Sequence, residues 1–362
     1  MKEVSLRELT TGTPSPDRIA LLSIWFHGHN NPRYAELLPR LGRLDACLLR
    51  LPDARIPRGL GFRAFVAGKP LLHRAVFRAA ARRYANLLAL DFEQLGRWPG
   101  AAVMDADDPF FTEDEVRLLR SPALRGYVVT AEHAARRYES LGVDKPWVVI
   151  PQGVNLAAAT PELKADAATR KRPDERVLGW MAAHLLTAGD RGAENPLYNV
   201  DHLLELWDEI HARAPHARLW LVGGPSERLR ARLEGRDDLL LLGRLPRAEA
   251  LAAAAQFDVA PYARTADQGI RAAKVSEFIG LGVPTVSYDY EVTSNLRETG
   301  AGVLVPDARS FVEAASRLLS DEPARAQLAA AARAAGRELD WDVLARRYEV
   351  EVLDRFLPAS SS

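Results

Sequence analysis

Residues 274–286, with the sequence KVSEFIGLGVPTV, predict a helix that passes directly into a short buried strand. The helix is expected over about 271–281, Gly282 and Pro284 end it, and an apolar strand follows at 285–288. Short apolar runs alternate with longer amphipathic segments in the same way along most of the chain. This alternation is typical of βαβ units around a parallel sheet, so the sequence predicts an α/β protein.

Two series of such units are separated by a polar stretch. In the first half, Thr112 and Thr130 are expected to cap helices, with Glu115 completing a capping box. The predicted strands of that half are 19–26, 46–51, 101–104, 127–130 and 147–150, and its helices are 71–90, 112–119 and 132–140. The second half has predicted strands at 177–181, 217–222, 239–242 and 259–261, a hairpin-like segment at 301–305, and helices at 200–214, 227–233, 247–255, from 310, from 322 and at 341–356.

The length of 362 residues and the two series predict two Rossmann-like, doubly wound domains that face each other across a cleft. Residues 157–175 lack periodicity and contain Pro161 and Pro173, which favours an interdomain linker. The predicted organisation is a flexible N-terminus at 1–17, a first domain at 18–156, the linker at 157–175, a second domain at 176–336, and a C-terminal helix at 337–358 that packs back on the first domain.

Composition excludes several classes of protein. Lys plus Arg and Asp plus Glu are equal at 48 each, so no overall charge attracts nucleic acid. The single cysteine, Cys47, excludes a disulfide framework and a cysteine-cluster metal site. The first residues are polar, and no apolar run approaches the ~18 residues of a spanning helix. We therefore expect a cytoplasmic protein.

The helix in residues 274–286 carries the strongest candidate site. It follows a polar loop with Gly269, and a helix N-terminus presents unpaired N–H groups and partial positive charge, which suit a diphosphate. Lys274 adds a cation, and Glu277 lies on nearly the same face, where a carboxylate accepts hydrogen bonds from ribose hydroxyls. An exposed ion pair on a helix surface explains the spacing equally well.

The wider context of this helix resembles GT-B retaining glycosyltransferases of the family 4-like group (glycosyl transferases group 1), in which a Lys-x-x-Glu-Phe/Tyr helix precedes Gly-x-Pro-Val-Val. Further segments resemble motifs of that family in the same order: VIPQGVN at 149–155, LVGG at 221–224, LGRLP at 242–246 and FDVAPY at 257–262. The resemblance covers nearly all of the C-terminal half and is weak in the N-terminal half.

That resemblance implies sugar transfer from a nucleotide-sugar donor to a hydroxyl acceptor, with retention and with neither a cofactor nor an essential metal. It places the first domain on the acceptor side and the nucleotide sugar in the second. The implied diphosphate contacts are Lys274, Gly269, Ile270, Arg271, His184 and Gly28, and the implied ribose and base contacts are Glu277, Arg244, Gly243 and Gly223. One departure is clear: the family often has Glu-x7-Glu, and Gly269 stands where the first glutamate would be.

Two polar clusters of the N-terminal half follow predicted strands. Gly28, His29, Asn30 and Asn31 form either a loop on the acceptor side near the donor phosphates or an ordinary βα turn. The run 105–108 (DADD) offers Asp105 and Asp107 as catalytic carboxylates; a helix entry and a metal-binding Asp-x-Asp are the alternatives.

Residues 55–83 carry a local excess of positive charge. Arg74, Arg78 and Arg82 are spaced by four residues, as on one face of a helix. Such a helix is either an ordinary domain helix or a peripheral contact with an anionic membrane, here the inner surface of the cell membrane. The functional alternatives to sugar transfer are a sugar-nucleotide 2-epimerase of the same fold and a non-catalytic GT-B module that binds nucleotide or a partner.

Overall fold

The computed structural model describes residues 2–15, 17–23, 31–48, 74–194, 198–265 and 272–359. The chain divides into two compact units. The first consists of Met1–Pro151 together with Asp342–Ser362, and the second of Gln152–Trp341.

A parallel sheet forms the centre of the first unit. Its strands run in the order β1-β3-β2-β4-β5-β6-β7, and each paired neighbour is parallel. Because β3 and β4 lie on opposite sides of β2, the strand order reverses there, and such a switch point is where doubly wound sheets bind ligands. The strands are β1 (Lys2–Glu3), β2 (Ile19–Ser23), β3 (Leu44–Leu48), β4 (Asn86–Ala89), β5 (Ala101–Ala106), β6 (Leu124–Val129) and β7 (Trp147–Val149).

The helices of the first unit connect these strands, and the C-terminal segment of the chain contributes a further helix. The C-terminal helix widens into a π-helix at Tyr348–Asp354, whose Tyr348 and Val352 are fully buried. The helices are α1 (Leu6–Thr11), α2 (Pro32–Leu37), α3 (74–83), α4 (Phe92–Leu95), α5 (Glu113–Leu119) and α6 (Glu132–Ser140).

The second unit contains the sheets β10-β9-β8 and β11-β12-β13. Backbone hydrogen bonds join them, since Gly179 N donates to Val259 O at 2.9 Å and Val259 N to Val177 O at 3.1 Å. The combined order, counted within this unit, is 3-2-1-4-5-6, the Rossmann order. The strands are β8 (Arg176–Leu185), β9 (Ala217–Pro225), β10 (Leu239–Gly243), β11 (Ala260–Tyr262), β12 (Thr285–Tyr288) and β13 (Gly302–Val305).

Helices of the second unit connect these strands and contribute to one apolar core. Trp207 and Phe278, which belong to two different helices, are fully buried in this core. The helices are α7 (Pro161–Ala168), α8 (Asp201–Arg213), α9 (Glu227–Leu233), α10 (Arg247–Ala254), α11 (Ala273–Gly280), α12 (Ser294–Thr299), α13 (Ala308–Ser320) and α14 (Glu322–Gly336), and α15 (Trp341–Arg347) begins the C-terminal segment. The prediction of an α/β protein with parallel sheets is confirmed.

Several predicted elements are wrong in detail. The helix predicted over 71–90 ends at 83, and Asn86–Ala89 forms the buried strand β4, because an apolar run this short satisfies either period. The segment 301–305 does not form a hairpin: β13 pairs parallel with β12. Thr112 caps α5 as predicted, but the Glu115 carboxylate accepts from Phe110 N and Phe111 N and does not complete the predicted capping box. The predicted cap Thr130 is also wrong, because α6 has Ala131 at its N-cap and no side-chain cap.

The segments predicted as a flexible N-terminus and as an interdomain linker both contain regular structure. Within 1–17, the backbone of β1 pairs with β3, and Ser5 and Glu8 form a capping box on α1. Within 157–175, Thr160 caps α7, and Ala167 is buried in the second core. Polar composition and missing periodicity therefore do not prevent a short helix from forming, because side-chain caps and a few apolar contacts stabilise it locally. Among the described residues no helix is long and apolar enough to cross a membrane.

Candidate functional site

Glu277 is a buried carboxylate held between two cations. It lies on α11, whose Val275, Phe278 and Ile279 are completely buried, and the Glu277 residue is itself only 3% exposed. Its Oε1 lies 2.5 Å from Nη2 of Arg247, and its Oε2 lies 3.3 Å from Nζ of Lys274. The Lys-x-x-Glu spacing therefore does not form an exposed surface pair.

The two cations keep Glu277 ionised. Burial raises the pKa of a carboxyl group, but attraction to Lys274 and Arg247 outweighs burial and leaves the pKa of Glu277 below its usual value. A carboxylate offers about four lone-pair positions, so Glu277 has acceptor capacity beyond these contacts. Arg247 is 39% exposed, so its guanidinium is the partner that a polar ligand most readily displaces.

Both contributing helices begin at the carboxyl edge of the second sheet. α10 follows β10, α11 follows β11, and Arg247 and Lys274 lie in their first turns. Arg247 was not predicted from the sequence as a site residue. The only signal was its place directly after the LGRLP segment at 242–246, at the predicted start of a helix.

Further predicted donor contacts meet at the ends of β8, β9 and β10. His184 pairs with Gly224 across the sheet, and a Cβ added to Gly224 would lie 3.8 Å from the Cβ of Arg244. Gly223 has a φ of +154°, and an added Cβ would lie 2.4 Å from Ala182 O, so close strand packing demands glycine there. His184 and Arg244 are exposed, while Gly243 has the positive φ of +72°.

A pocket lies at the switch point of the second sheet, where β8 and β11 are neighbours. Trp180, Asn199, Tyr262 and Arg264 contribute to its lining. Arg264 is 7% exposed, and its Nη1 donates to the Tyr262 hydroxyl at 3.1 Å. Neither Asn199 nor Arg264 was singled out in the sequence, since no motif surrounds them. The predicted contacts Gly269, Ile270 and Arg271, and in the first unit Gly28, His29 and Asn30, lie outside the described residues.

In the first unit, the structure brings Asn31 and Asp107 together. Asn31 caps α2 by accepting from Arg33 N at 3.0 Å, and its Nδ2 donates to Asp107 Oδ2 at 3.0 Å. Asp107 directly follows β5, and its side chain is 10% exposed. Asn31, Tyr34, Phe92, Asp107 and Asp108 contribute to the lining of a pocket there. Asp107 is therefore part of the wall of this pocket, in contact with Asn31.

Asp105 also contributes to the lining of that pocket, but it is buried, and its carboxylate contacts other side chains. Its Oδ2 lies 3.1 Å from Nη2 of Arg33 and accepts from the Tyr348 hydroxyl at 3.0 Å. Burial raises the pKa of Asp105 above its usual value, although the Arg33 charge opposes the shift. Arg33 also donates to the carbonyls of Ile150 and Pro151, each at 3.0 Å, just beyond β7. These contacts are those of a positioning residue, and the catalytic role of Asp105 stays a prediction.

Asp108 also lines this pocket, and its pKa lies above the usual value. Burial raises the pKa of Asp108, and the nearby carboxylates of Asp107 and Glu115 raise it further. Glu115 itself accepts from Phe111 N at 2.7 Å and from the Tyr138 hydroxyl at 3.0 Å, which explains its burial. In the part of the chain that the structure describes, no group of three or more His, Cys, Asp or Glu side chains is arranged to hold a metal ion.

The structure describes only part of the basic segment at residues 55–83. Arg74, Arg78 and Arg82 on α3 are exposed, and Val76 and Ala80 on the same helix are buried. The amphipathic pattern of α3 therefore matches the sequence. The basic residues Arg55, Arg58, Arg63 and Lys69 lie outside the described residues.

Residues 183–321 match the family model described as Glycosyl transferases group 1. The matched segment contains His184, Arg244, Arg247, Lys274 and Glu277, and it lies within the second unit. This match supports a glycosyltransferase activity for the chain. None of the curated proteins compared with the chain matches its sequence.

Solved structures with the same fold include glycosyltransferases of the GT-B type. HepE from Anabaena, solved in complex with UDP, has a TM-score of 0.67 at 15% identity, with 92% of this chain and 99% of that chain covered. WaaG, a glycosyltransferase involved in lipopolysaccharide biosynthesis, has a TM-score of 0.60 at 13% identity, with 94% and 99% covered. Sucrose-phosphate synthase from Thermosynechococcus elongatus has a TM-score of 0.64 at 18% identity, with 95% and 100% covered. At these identities the likeness shows the fold alone.

Proposed function

We propose that the protein transfers a sugar from a nucleotide-sugar donor to a hydroxyl acceptor, with retention of configuration and without an essential metal. The observation that carries the proposal is Glu277, a buried and ionised carboxylate that two cations hold at the first turns of α10 and α11. The family match over 183–321 and the UDP complex of the similar HepE support a nucleotide sugar as the ligand.

Each donor contact has a physical role in this proposal. Lys274 and the N-terminus of α11 stabilise the departing diphosphate, whose developing charge is the main electrostatic demand of the step. Glu277 accepts hydrogen bonds from the ribose hydroxyls, and Arg247 moves from Glu277 toward the phosphates as the ligand enters. The backbone at Gly243 and Arg244 faces the base, with His184 and Gly223 at the neighbouring strand ends.

On the acceptor side, Asp107 is the proposed catalytic carboxylate. It is held by Asn31, and Arg33 contacts both Asp107 and Asp105, so that Asp105 supports Asp107 through Arg33. A further part of the proposal is that the protein works in the cytoplasm and contacts the inner membrane surface. The exposed arginines of α3 support this contact.

Donor binding is tested by thermal shift with UDP-, GDP- and ADP-sugars, because a ligand that binds only the native state raises apparent stability. One of the nucleotides should stabilise the full chain, and Glu277→Ala and Lys274→Ala should each weaken its binding by about 10- to 100-fold. Lys164→Ala, a change on α7 at a residue outside the proposed donor contacts, is the matched lysine control. A folded Glu277→Ala variant that binds nucleotide as tightly as the wild type would remove the ribose assignment.

Transfer is tested with the stabilising donor and cell-extract acceptors. Asp107→Asn is expected to lower turnover by about 100-fold, the range of a lost proton-transfer group, while donor binding stays unchanged. Sugar isomerisation without an acceptor would indicate a 2-epimerase instead. Nucleotide binding with neither transfer nor donor hydrolysis would indicate the non-catalytic module, which the Gly269 departure favours.

A further inference from the structure

The pocket of the first unit at the carboxyl ends of β4 and β5 has a size and a lining that suit a small organic molecule. Its volume is about 260 Å³, close to the lower end of the range for small-ligand sites, roughly 300 Å³. The apolar part of the lining consists of Leu90, Phe92, Met104, Ala106 and Phe110. This apolar surface favours a ligand with a hydrocarbon framework over a hydrated metal ion, which prefers a shell of oxygen ligands.

The charged side chains that line this pocket all carry the same sign. They are Asp91, Asp105, Asp107, Asp108 and Glu115, and the lining that the structure describes contains no Lys, Arg or His. A cleft lined by one sign of charge and by apolar walls concentrates ligands of the opposite sign. The pocket therefore disfavours an anionic ligand.

Protein groups already contact three of these carboxylates. Asp105 lies 3.1 Å from Nη2 of Arg33, and Asp107 lies 3.7 Å from Nε of the same guanidinium. Asp107 also accepts from Asn31 at 3.0 Å. Glu115 accepts from two backbone N–H groups just before α5. One guanidinium thus serves two carboxylates, so the charge of this group of side chains stays negative.

Asp108 differs from these three, because its exposed side chain has neither a hydrogen bond nor an ion pair with a described residue. Partial burial raises the pKa of Asp108, the charges of Asp107 and Glu115 raise it further, and no cation among the described residues opposes them. A carboxylate under such repulsion is stabilised by a cation within contact distance. A ligand that brings an ammonium group to Asp108 would supply that charge, whereas a neutral ligand would leave the repulsion in place.

Phe110 adds an aromatic ring to this pocket, two positions after Asp108. It is 73% exposed and contributes to the lining, so its ring is open to a ligand. The face of an aromatic ring attracts an ammonium group as well as apolar atoms. The backbone N–H of Phe110 donates to Glu115 at 3.1 Å, which fixes the main chain that carries the ring. An exposed aromatic ring and an unpaired carboxylate therefore lie together on the same pocket.

We propose that the acceptor is a small hydroxyl compound that carries an ammonium group, such as an amino sugar. Its ammonium group contacts Asp108, and its ring packs on Phe92 and Phe110. Its hydroxyl group faces Asp107, the proposed catalytic carboxylate. The inference rests on the proposed transfer reaction, because it assigns a chemical class to the acceptor of that reaction, and it makes Asp108 the residue that selects this class.

The test measures binding of three matched glycosides to the full chain by saturation-transfer difference NMR. The probes are methyl β-glucosaminide, its neutral counterpart methyl β-glucoside, and the anionic methyl β-glucuronide, at about pH 6, below the pKa of the amine. The glucosaminide is expected to bind about tenfold more tightly than the glucoside, the effect of one charge-assisted hydrogen bond. The glucuronide should bind more weakly than either.

Two variants should change this binding in different ways. Asp108→Asn should weaken the binding of the glucosaminide by about tenfold and leave that of the glucoside nearly unchanged, because only the charge is lost. Phe110→Ala should weaken the binding of both by about threefold, because the aromatic ring is lost. Glu113→Gln removes an exposed carboxylate at the start of α5, outside the lining, and is the matched control. Circular dichroism of each variant confirms folding.

Three outcomes would overturn the assignment. These are the absence of glucosaminide binding, binding of the glucoside or glucuronide that is as tight as that of the glucosaminide, and an unchanged preference in Asp108→Asn. Transfer assays with the same glycosides separate this inference from the proposed function. Transfer to the glucoside alone would remove the amine assignment and leave sugar transfer standing. Glucosaminide binding that depends on Asp108, with no transfer from any donor, would remove sugar transfer and leave the amine-binding pocket standing.

Discussion

Nη2 of Arg247 lies 2.5 Å from Oε1 of Glu277, although 30 positions separate the two residues in the sequence. The contact joins the first turn of α10 to a buried position of α11. It leaves the carboxylate ionised in a place where burial alone would favour its neutral form. The carboxylate and its two cations therefore lie together at this edge of the sheet.

Removal of Arg247 should destabilise the protein moderately. Arg247→Ala is expected to lower the free energy of unfolding by about 1–2 kcal/mol, because Glu277 loses one partner while water replaces part of the contact. Chemical denaturation at neutral pH measures the change. Arg244→Ala, the loss of an exposed arginine three positions earlier, should cost much less. Equal costs for the two variants would contradict the assigned ion pair.

Glu277 should make stability depend on pH in a defined direction. Its pKa in the folded protein lies below the usual value of 4.5, so its contribution is present above pH 4.5 and is lost as pH falls through the folded pKa. The difference in unfolding free energy between wild type and Glu277→Gln should therefore shrink below pH 4.5. Glu209→Gln, an exposed change on α8, is the control. A difference that grows toward acid pH would show the opposite shift.

Gly223 should be more sensitive to substitution than other glycines with positive φ. Gly223→Ala is expected to cost about 2 kcal/mol or more, since the added Cβ meets a carbonyl oxygen 2.4 Å away in an unfavourable backbone conformation. Gly235→Ala is the comparison, because φ there is +76° and an added Cβ meets nothing within 4 Å. Thermal and chemical denaturation of both variants should rank Gly223→Ala as the more damaging. The reverse order would contradict the close approach of β8 to β9.

One hydroxyl of the C-terminal segment, that of Tyr348, should contribute measurably to the stability of the first unit. Tyr348→Phe is expected to cost about 1–3 kcal/mol, because it removes a hydrogen bond from the buried Asp105 carboxylate. Tyr290→Phe, which removes a 3.5 Å contact near the surface, should cost less than 1 kcal/mol, roughly the value of a weak hydrogen bond. Stability is measured by urea denaturation, and binding of whichever nucleotide stabilises the wild type is a second readout that Tyr348→Phe should not change. Equal stability of wild type and Tyr348→Phe would show that Asp105 does not depend on this contact.

The α/β class and most element positions followed from the sequence, because they depend on local properties. Alternating apolar runs, Gly282 and Pro284 after a helix, and Thr112 before one act within a few residues of chain. The segment 71–90 shows the limit of such reasoning. Its apolar residues satisfied a helical period, but pairing with β2 and β5 makes Asn86–Ala89 a strand.

The sequence by itself determined that Lys274 and Glu277 share a helix face and that Asp107 follows a strand. Only the tertiary structure decided which side chains contact the candidate site residues. Arg247 contacts Glu277, Asn31 contacts Asp107, and Arg33 and Tyr348 contact Asp105. Tyr348 lies 243 positions from Asp105, and no periodicity in the chain extends so far. Burial and ionisation depend on such distant partners, because the charge and dielectric around a carboxylate are set by whatever the fold packs against it.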